Sequence, residues 1–261
     1  MNTKKGSDYK AQILRIIADN ELSVFSTKDI ITLTGKAYSQ LKYALGSLLA
    51  DNQIYRIQAG LYYVRNYQNP HRIANAMLTN SVIAYWSALN LHGLTERFPD
   101  TVFSQSNLLK SDKTVFNVLY KFVKVKPEKM FGAMRMGYGS EAFQVTDVEK
   151  TLLDCFDLPQ YSGGYAELIR AFYAAKISHA RLLEYGLKMN NLSILKRMAF
   201  LSELFQMKGF TRFQQEVLRR MNQKYTLIGP TGKNEGEFCQ KWHVRLNIQR
   251  EDLLGIIQNM Y

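Results

Sequence analysis

The chain has 261 residues, 46% of them hydrophobic and 12% aromatic, enough to bury one or two packed cores and too much for wholesale disorder. No window approaches the roughly 18 uninterrupted apolar residues of a membrane span, and the opening "MNTKKGSDYK" has lysines without an apolar stretch behind them. Neither a membrane partner nor a secretory signal is expected, and a cytoplasmic location follows. Lys and Arg number 34 against 22 Asp and Glu, a net charge of +12, which favours a polyanionic partner through counterion release. The excess is spread along the chain, with nine basic and five acidic residues up to position 70 and 25 against 17 beyond it.

From Tyr9, the apolar residues Ile13, Ile16 and Ile17 recur at helical spacing and "ADNEL" closes a first helix. In "FSTKDIITLTG", Ser26 or Thr27 can cap a second, two-turn helix that ends at Gly35. "KAYSQLKYALGSLLADNQ" places Leu41, Ala44, Leu45, Leu48 and Leu49 on one stripe and leaves a polar front on a third helix. "NQIYRIQAGLYYVR" then reads as a hairpin turning at Gly60, with Ile54, Ile57, Tyr62 and Val64 closing the open side of the three helices.

Three helices and a hairpin are the parts of a winged helix-turn-helix, so residues 1–70 are expected to form a DNA-binding domain. In that motif the third helix enters the major groove while flanking residues hold phosphates. Tyr38, Ser39 and Gln40 are the base-reading candidates, with Tyr43 beside them on the helix front. Thr27, Lys28, Lys36, Lys42, Arg56 and Arg65 are the phosphate candidates. Winged helices also serve as protein-interaction modules, and that alternative stays open.

Residues 71–261 are expected to form a second domain. A helix starting at Asn80 or Ser81 covers "VIAYWSALNLHG", and β-like runs follow in "TVFSQS" and "FNVLYKFVKVK", separated by the polar "NLLKSDK". Lys121, Lys124, Lys126 and Arg135 make a possible second basic surface, with a core face and a basic row on the strand that ends in "KFVKVK". A hairpin around Gly137 and Gly139 leads into "VTDVEKTLLDCF", where Thr146 and Glu149 have capping-box spacing and Lys150 and Asp154 read as a solvated pair. After Tyr161 four helical segments follow, the last collecting Arg212, Arg219, Arg220 and Lys224; then "KWHVRLNIQ" alternates like a strand and "REDLLGIIQNMY" closes as a helix. The fold class expected is α+β: a winged helix-turn-helix, then a mixed α/β domain with a small, largely antiparallel sheet and a helical carboxy-terminal part.

Catalytic signatures are lacking. "GPTGKNEGE" has the wrong spacing for a phosphate-binding loop, and Lys233 is followed by Asn234 rather than Ser or Thr. His71, His92, His179 and His243 show no metal-ligand spacing, Cys155 and Cys239 form no CxxC pair, and no serine lies in a G-x-S-x-G context. Asp154 and Asp157 read as surface carboxylates without a third ligand. No cofactor, no metal and no enzymatic activity are expected.

The succession of "SVIAYWSALNLHGL", "KFVKVKPEKMFG" and "QVTDVEKTLLDCF" behind a winged helix resembles the AbiEi-type antitoxins. The family's last segment is close to A-T-P-E-K-A-L-L-D, and this chain matches it at Thr146, Glu149, Lys150, Leu152, Leu153 and Asp154, with Asp147 and Val148 standing between. Ala59 precedes Gly60 where the family commonly has an arginine, which leaves one phosphate contact open. The resemblance spans residues 12–177 in good order and the remainder more loosely. It implies a repressor of its own operon that binds double-stranded DNA at promoter inverted repeats. It also implies a carboxy-terminal domain that counteracts a co-encoded AbiEii-type nucleotidyltransferase toxin in a type IV toxin–antitoxin system. The alternatives are an enzyme that modifies the partner toxin and a pure protein-interaction module.

Overall fold

The computed structural model describes residues 2–67 and 69–258. The first helix, α1 (Asn2–Asp19), is followed by a short strand, β1 (Val24–Ser26), that the hydrophobic pattern does not reveal. Ser26 caps α2 (Thr27–Thr34) reciprocally: its Oγ accepts from the Asp29 amide and the Asp29 carboxylate accepts from the Ser26 amide. Gly35 ends the helix in the left-handed conformation that glycine tolerates, with φ of 64°. Then come α3 (Tyr38–Ala50), β2 (Ile54–Gln58) and β3 (Leu61–Val64). The three strands form a sheet in the order β1-β3-β2.

The β2–β3 hairpin has two buried faces. Ile54 and Tyr62 join Phe25, Ile13, Ile30, Leu41 and Leu48 in a core among the three helices. Ile57 does not join them: the pairing register shifts between Arg56 and Gln58, and Ile57 packs with Val24, Leu61 and Tyr63 on the other face. That second core crosses the expected boundary at residue 70, since it includes Ile73 and Met77 of α4 (Pro70–Met77). The hairpin is thus shared between the two parts of the chain.

The second part is built on a six-stranded sheet. The expected helix from Asn80 or Ser81 does not start there. Asn80 turns the chain with φ of 61°, and β4 (Val82–Ile83) lies inside the sheet before α5 (Tyr85–Leu91) begins. Next are β5 (Thr101–Ser106), β6 (Lys113–Val115), β7 (Val118–Lys124), β8 (Ala133–Met136) and β9 (Phe143–Thr146). Their order is β6-β7-β5-β4-β9-β8. The β4–β9 and β5–β7 pairs are parallel and the other three antiparallel, so the sheet is mixed rather than largely antiparallel. Both faces are covered, with Tyr120 and Phe122 against the hairpin and Val123 and Val125 in the large core opposite. No basic row lines one face of β7.

The large core is closed by α6 (Val148–Asp157), α7 (Tyr165–Ala174), α8 (His179–Lys188), α9 (Leu192–Leu204) and α10 (Thr211–Arg220), at the positions the helical spacing predicts. Asp147, not Thr146, caps α6, its Oδ1 accepting from the Lys150 amide at 2.9 Å, and Glu149 instead accepts from the Ser178 amide at 2.6 Å. A three-stranded sheet of β10 (Thr226–Leu227), β11 (Glu237–Cys239) and β12 (Val244–Leu246) precedes α11 (Arg250–Gln258). The last three residues of the expected closing helix lie outside the described residues. Asn247 brackets the "GPTGKNEGE" loop by accepting from the Gly229 amide and donating to its carbonyl, each at 2.8 Å. Among the described residues no helix is long and apolar enough to cross a membrane.

Candidate nucleic-acid interface

The front of α3 is open. Tyr38 and Tyr43 are 45% and 80% exposed, and Ser39, Gln40 and Lys42 are exposed beside them. With 3.6 residues per turn, Tyr38 and Lys42 lie one turn apart, as do Ser39 and Tyr43, so these four share one patch at the amino end of the helix. Gln40 has a second job, because its Oε1 accepts from the Ala37 amide at 3.1 Å and holds the start of α3 in place of a capping side chain.

The phosphate candidates divide. Thr27 and Lys28 open α2 beside the hairpin turn, and the Thr27 amide donates to the Gly60 carbonyl at 2.8 Å. The Asp29 carboxylate already occupies the amino end of α2, so the exposed Lys28 ammonium, not the helix dipole, is what that end offers an anion. Lys36 is half-buried in the link to α3, and Arg56 is exposed on β2 opposite Tyr62. Arg65 sits at the base of the hairpin, its amide on the Gln53 carbonyl at 3.1 Å, near the carboxyl end of α3 and away from the patch at its amino end.

The expected second basic surface is not assembled. Lys121 pairs with Asp112 at 3.6 Å and points to the opposite face of β7 from Lys124, and Lys126 lies beyond the strand. Arg135 is on β8 at the far edge of the sheet, four strand spacings or about 19 Å away, where it donates to the Gly139 carbonyl. A contact missed by the linear pattern is made by Lys110, whose Nζ donates at 2.9 Å to Gln58 Oε1 on β2. Farther along the hairpin, Phe116 stands edge-on to Tyr55 and Tyr63 at 5.8 and 4.9 Å. These rings, with Tyr67 and Tyr120, line a cleft of about 380 Å³.

The segment that carries the family resemblance is inside the protein. Lys150 and Asp154 are a buried ion pair, 0% and 3% exposed, rather than a solvated one. Gln105 Nε2 donates to Asp154 Oδ2 at 3.0 Å, and the Tyr85 hydroxyl donates to Gln105 Oε1 at 3.2 Å. The Lys150 ammonium lies 4.9 Å above the Phe131 ring. Asp157 is not on the surface either: it pairs with Lys129 and accepts from Asn191 at 2.8 Å. Burial raises the Asp154 carboxyl to about 6 against the pull of Lys150, and drives the Cys155 thiol up. Among the described residues no three His, Cys, Asp or Glu side chains gather as for a metal ion.

His71 stacks on Phe143 at 5.3 Å, and burial lowers its imidazole to about 4. A histidine depressed in this way supports the fold above its unfolded value near 6.5 and loses that support as pH falls toward 4. Asp154 has the opposite sign, its contribution being full below its unfolded value of 3.8 and lost as pH rises through about 6. The two partly cancel in the unmodified protein. The difference between the protein and His71→Phe isolates the imidazole: urea unfolding at pH 7 and pH 5 is expected to shift about 2 kcal/mol in favour of the variant at the lower pH. An unchanged difference rules out a His71 held neutral by the fold.

Taken together, the chain is an α+β protein with eleven α-helices among the described residues and small sheets, two of them mixed. Of solved structures, the Rv2827c protein of Mycobacterium tuberculosis is similar over 97% of this chain and 95% of its own, with a TM-score of 0.67 at 15% identity. At that identity the likeness is one of fold. No protein-family model and no curated protein matches the sequence.

Proposed function

We propose that this chain is a DNA-binding antitoxin and autorepressor of the AbiEi type, whose first part is a winged helix-turn-helix. The observation that carries the reading is the α3 patch of Tyr38, Ser39, Lys42 and Tyr43, exposed on a helix whose other face is buried. The succession of α2, a tight turn at Gly35, α3 and a two-stranded hairpin supports it, as does the +12 charge. Two copies on promoter inverted repeats would place their α3 helices in successive major grooves, about 34 Å apart. The second part counteracts a co-encoded nucleotidyltransferase toxin, as the resemblance of the middle segments to the AbiEi-type antitoxins implies.

A fluorescence-anisotropy titration against the DNA upstream of its own gene and a scrambled duplex, at two salt concentrations, tests this. Expected is salt-sensitive binding that prefers the upstream DNA. Lys42→Ala weakens both duplexes and lowers the salt slope by about one, whereas Tyr43→Ala narrows the preference. Gln40→Ala is a poorer probe, because it also releases the helix start. Equal weak binding to both duplexes, untouched by either substitution, overturns the reading.

A further inference from the structure

The hairpin turn is short, only Ala59 and Gly60, and neither residue is charged. A different part of the chain stands next to it. Residues 107–112, "NLLKSD", link β5 to Lys113 at the start of β6 and are held from several sides. The Leu108 amide donates to Ser106 Oγ at 3.2 Å, Asp112 Oδ1 accepts from the Phe122 amide at 3.3 Å, and Asp112 pairs with Lys121. Lys110 ties the loop to β2 through Gln58, which itself donates to the Met77 carbonyl at 3.2 Å. The loop is therefore a fixed ledge at the tip of the hairpin.

What it shows to solvent is unusual for a polar connection. Leu108 and Leu109 are 47% and 78% exposed, two adjacent large apolar side chains, and the half-buried Lys110 and Lys113 follow them in the chain. Burial chiefly, and then the nearby Lys113 charge, push the Lys110 ammonium down. Two cations held this close gain from an approaching polyanion. Apolar side chains, leucine among them, that enter between base steps with basic residues on the flanking phosphates are the means by which proteins grip a minor groove.

We infer that residues 107–113 form a second DNA-contacting element beside the hairpin turn, in which Leu108 and Leu109 meet the minor groove and Lys110 and Lys113 hold the phosphates along its edges. This rests on the DNA-binding reading above. It moves the accessory groove contact from the hairpin turn to a loop of the second part of the chain.

The test uses the full chain and its own upstream DNA, with Leu109→Ala, the double variant Lys110→Ala/Lys113→Ala, and Lys42→Ala of α3 side by side. Salt dependence is read by anisotropy and minor-groove coverage by hydroxyl-radical footprinting. The double lysine variant is expected to lower the slope of log K against log salt by about two, and Leu109→Ala to erase one minor-groove footprint while leaving that slope unchanged. Circular dichroism checks the fold, and Lys110→Glu/Lys113→Glu, which deepens the loss if the phosphates are there, supplies a second reading. If Lys42→Ala weakens binding but the loop variants keep the parent slope and footprint, the loop is not a contact and the α3 reading stands. If the unmodified protein binds neither duplex, both fall together.

Discussion

Asp154→Ala is expected to cost about 3–5 kcal/mol of folding free energy. The reason is not the loss of an attraction but what remains. Lys150 is completely enclosed, and removing Asp154 leaves its ammonium with the Phe131 ring and no countercharge, while the Gln105 amide loses its acceptor. Replacing both charges together, Lys150→Met with Asp154→Leu, should recover most of that loss, because a pair of apolar side chains of similar volume has no desolvation to repay. A double-mutant cycle by urea unfolding measures the coupling. A cost below about 1 kcal/mol for Asp154→Ala would mean that Lys150 reaches water, contrary to its enclosure.

Trp242→Ala is expected to be similarly damaging, at about 3–5 kcal/mol. Trp242 is fully buried where the small sheet meets the large core, in one cluster with Ile228, Val244, Leu246 and Leu253. Its Nε1 donates to Glu203 Oε2 at 2.6 Å, tying the start of β12 to the end of α9. Trp242→Phe keeps most of the volume and loses that hydrogen bond. It should cost about 1–2 kcal/mol, since Lys241 still holds Glu203. The chain has two tryptophans, so in either variant Trp86 remains to report unfolding by fluorescence. Equal losses in the two variants would mean that the hydrogen bond, not the packing, carries the effect.

The helices were the most legible part of the sequence, because three-and-four spacing of apolar residues survives whatever packs against it. Segments such as α3 and α9 lie where that spacing puts them. The strands were less so. Val82 and Ile83 look like the start of a helix because their pairing partners, Ser104, Gln105 and Val145, are remote in the chain. The charged residues of α6 were the hardest to place. Lys and Asp four apart look alike whether they face water or each other in a core, and only the long-range arrival of Gln105, Tyr85 and Phe131 decides it. Of the interface candidates, those on α3 needed only local helix geometry to be grouped. The basic residues of the sheet required the strand order, which sets Arg135 at one edge and Lys121 near the other.

The hairpin's two buried faces bear on how the molecule can be divided. A fragment severed near residue 70 would keep the helical trio but turn Val24, Ile57, Leu61 and Tyr63 out to water as one greasy face. It would stick to its own kind rather than stay monomeric. The same seam leaves little slack between the two parts. A partner that grips the large sheet therefore pulls on the strands that hold α3.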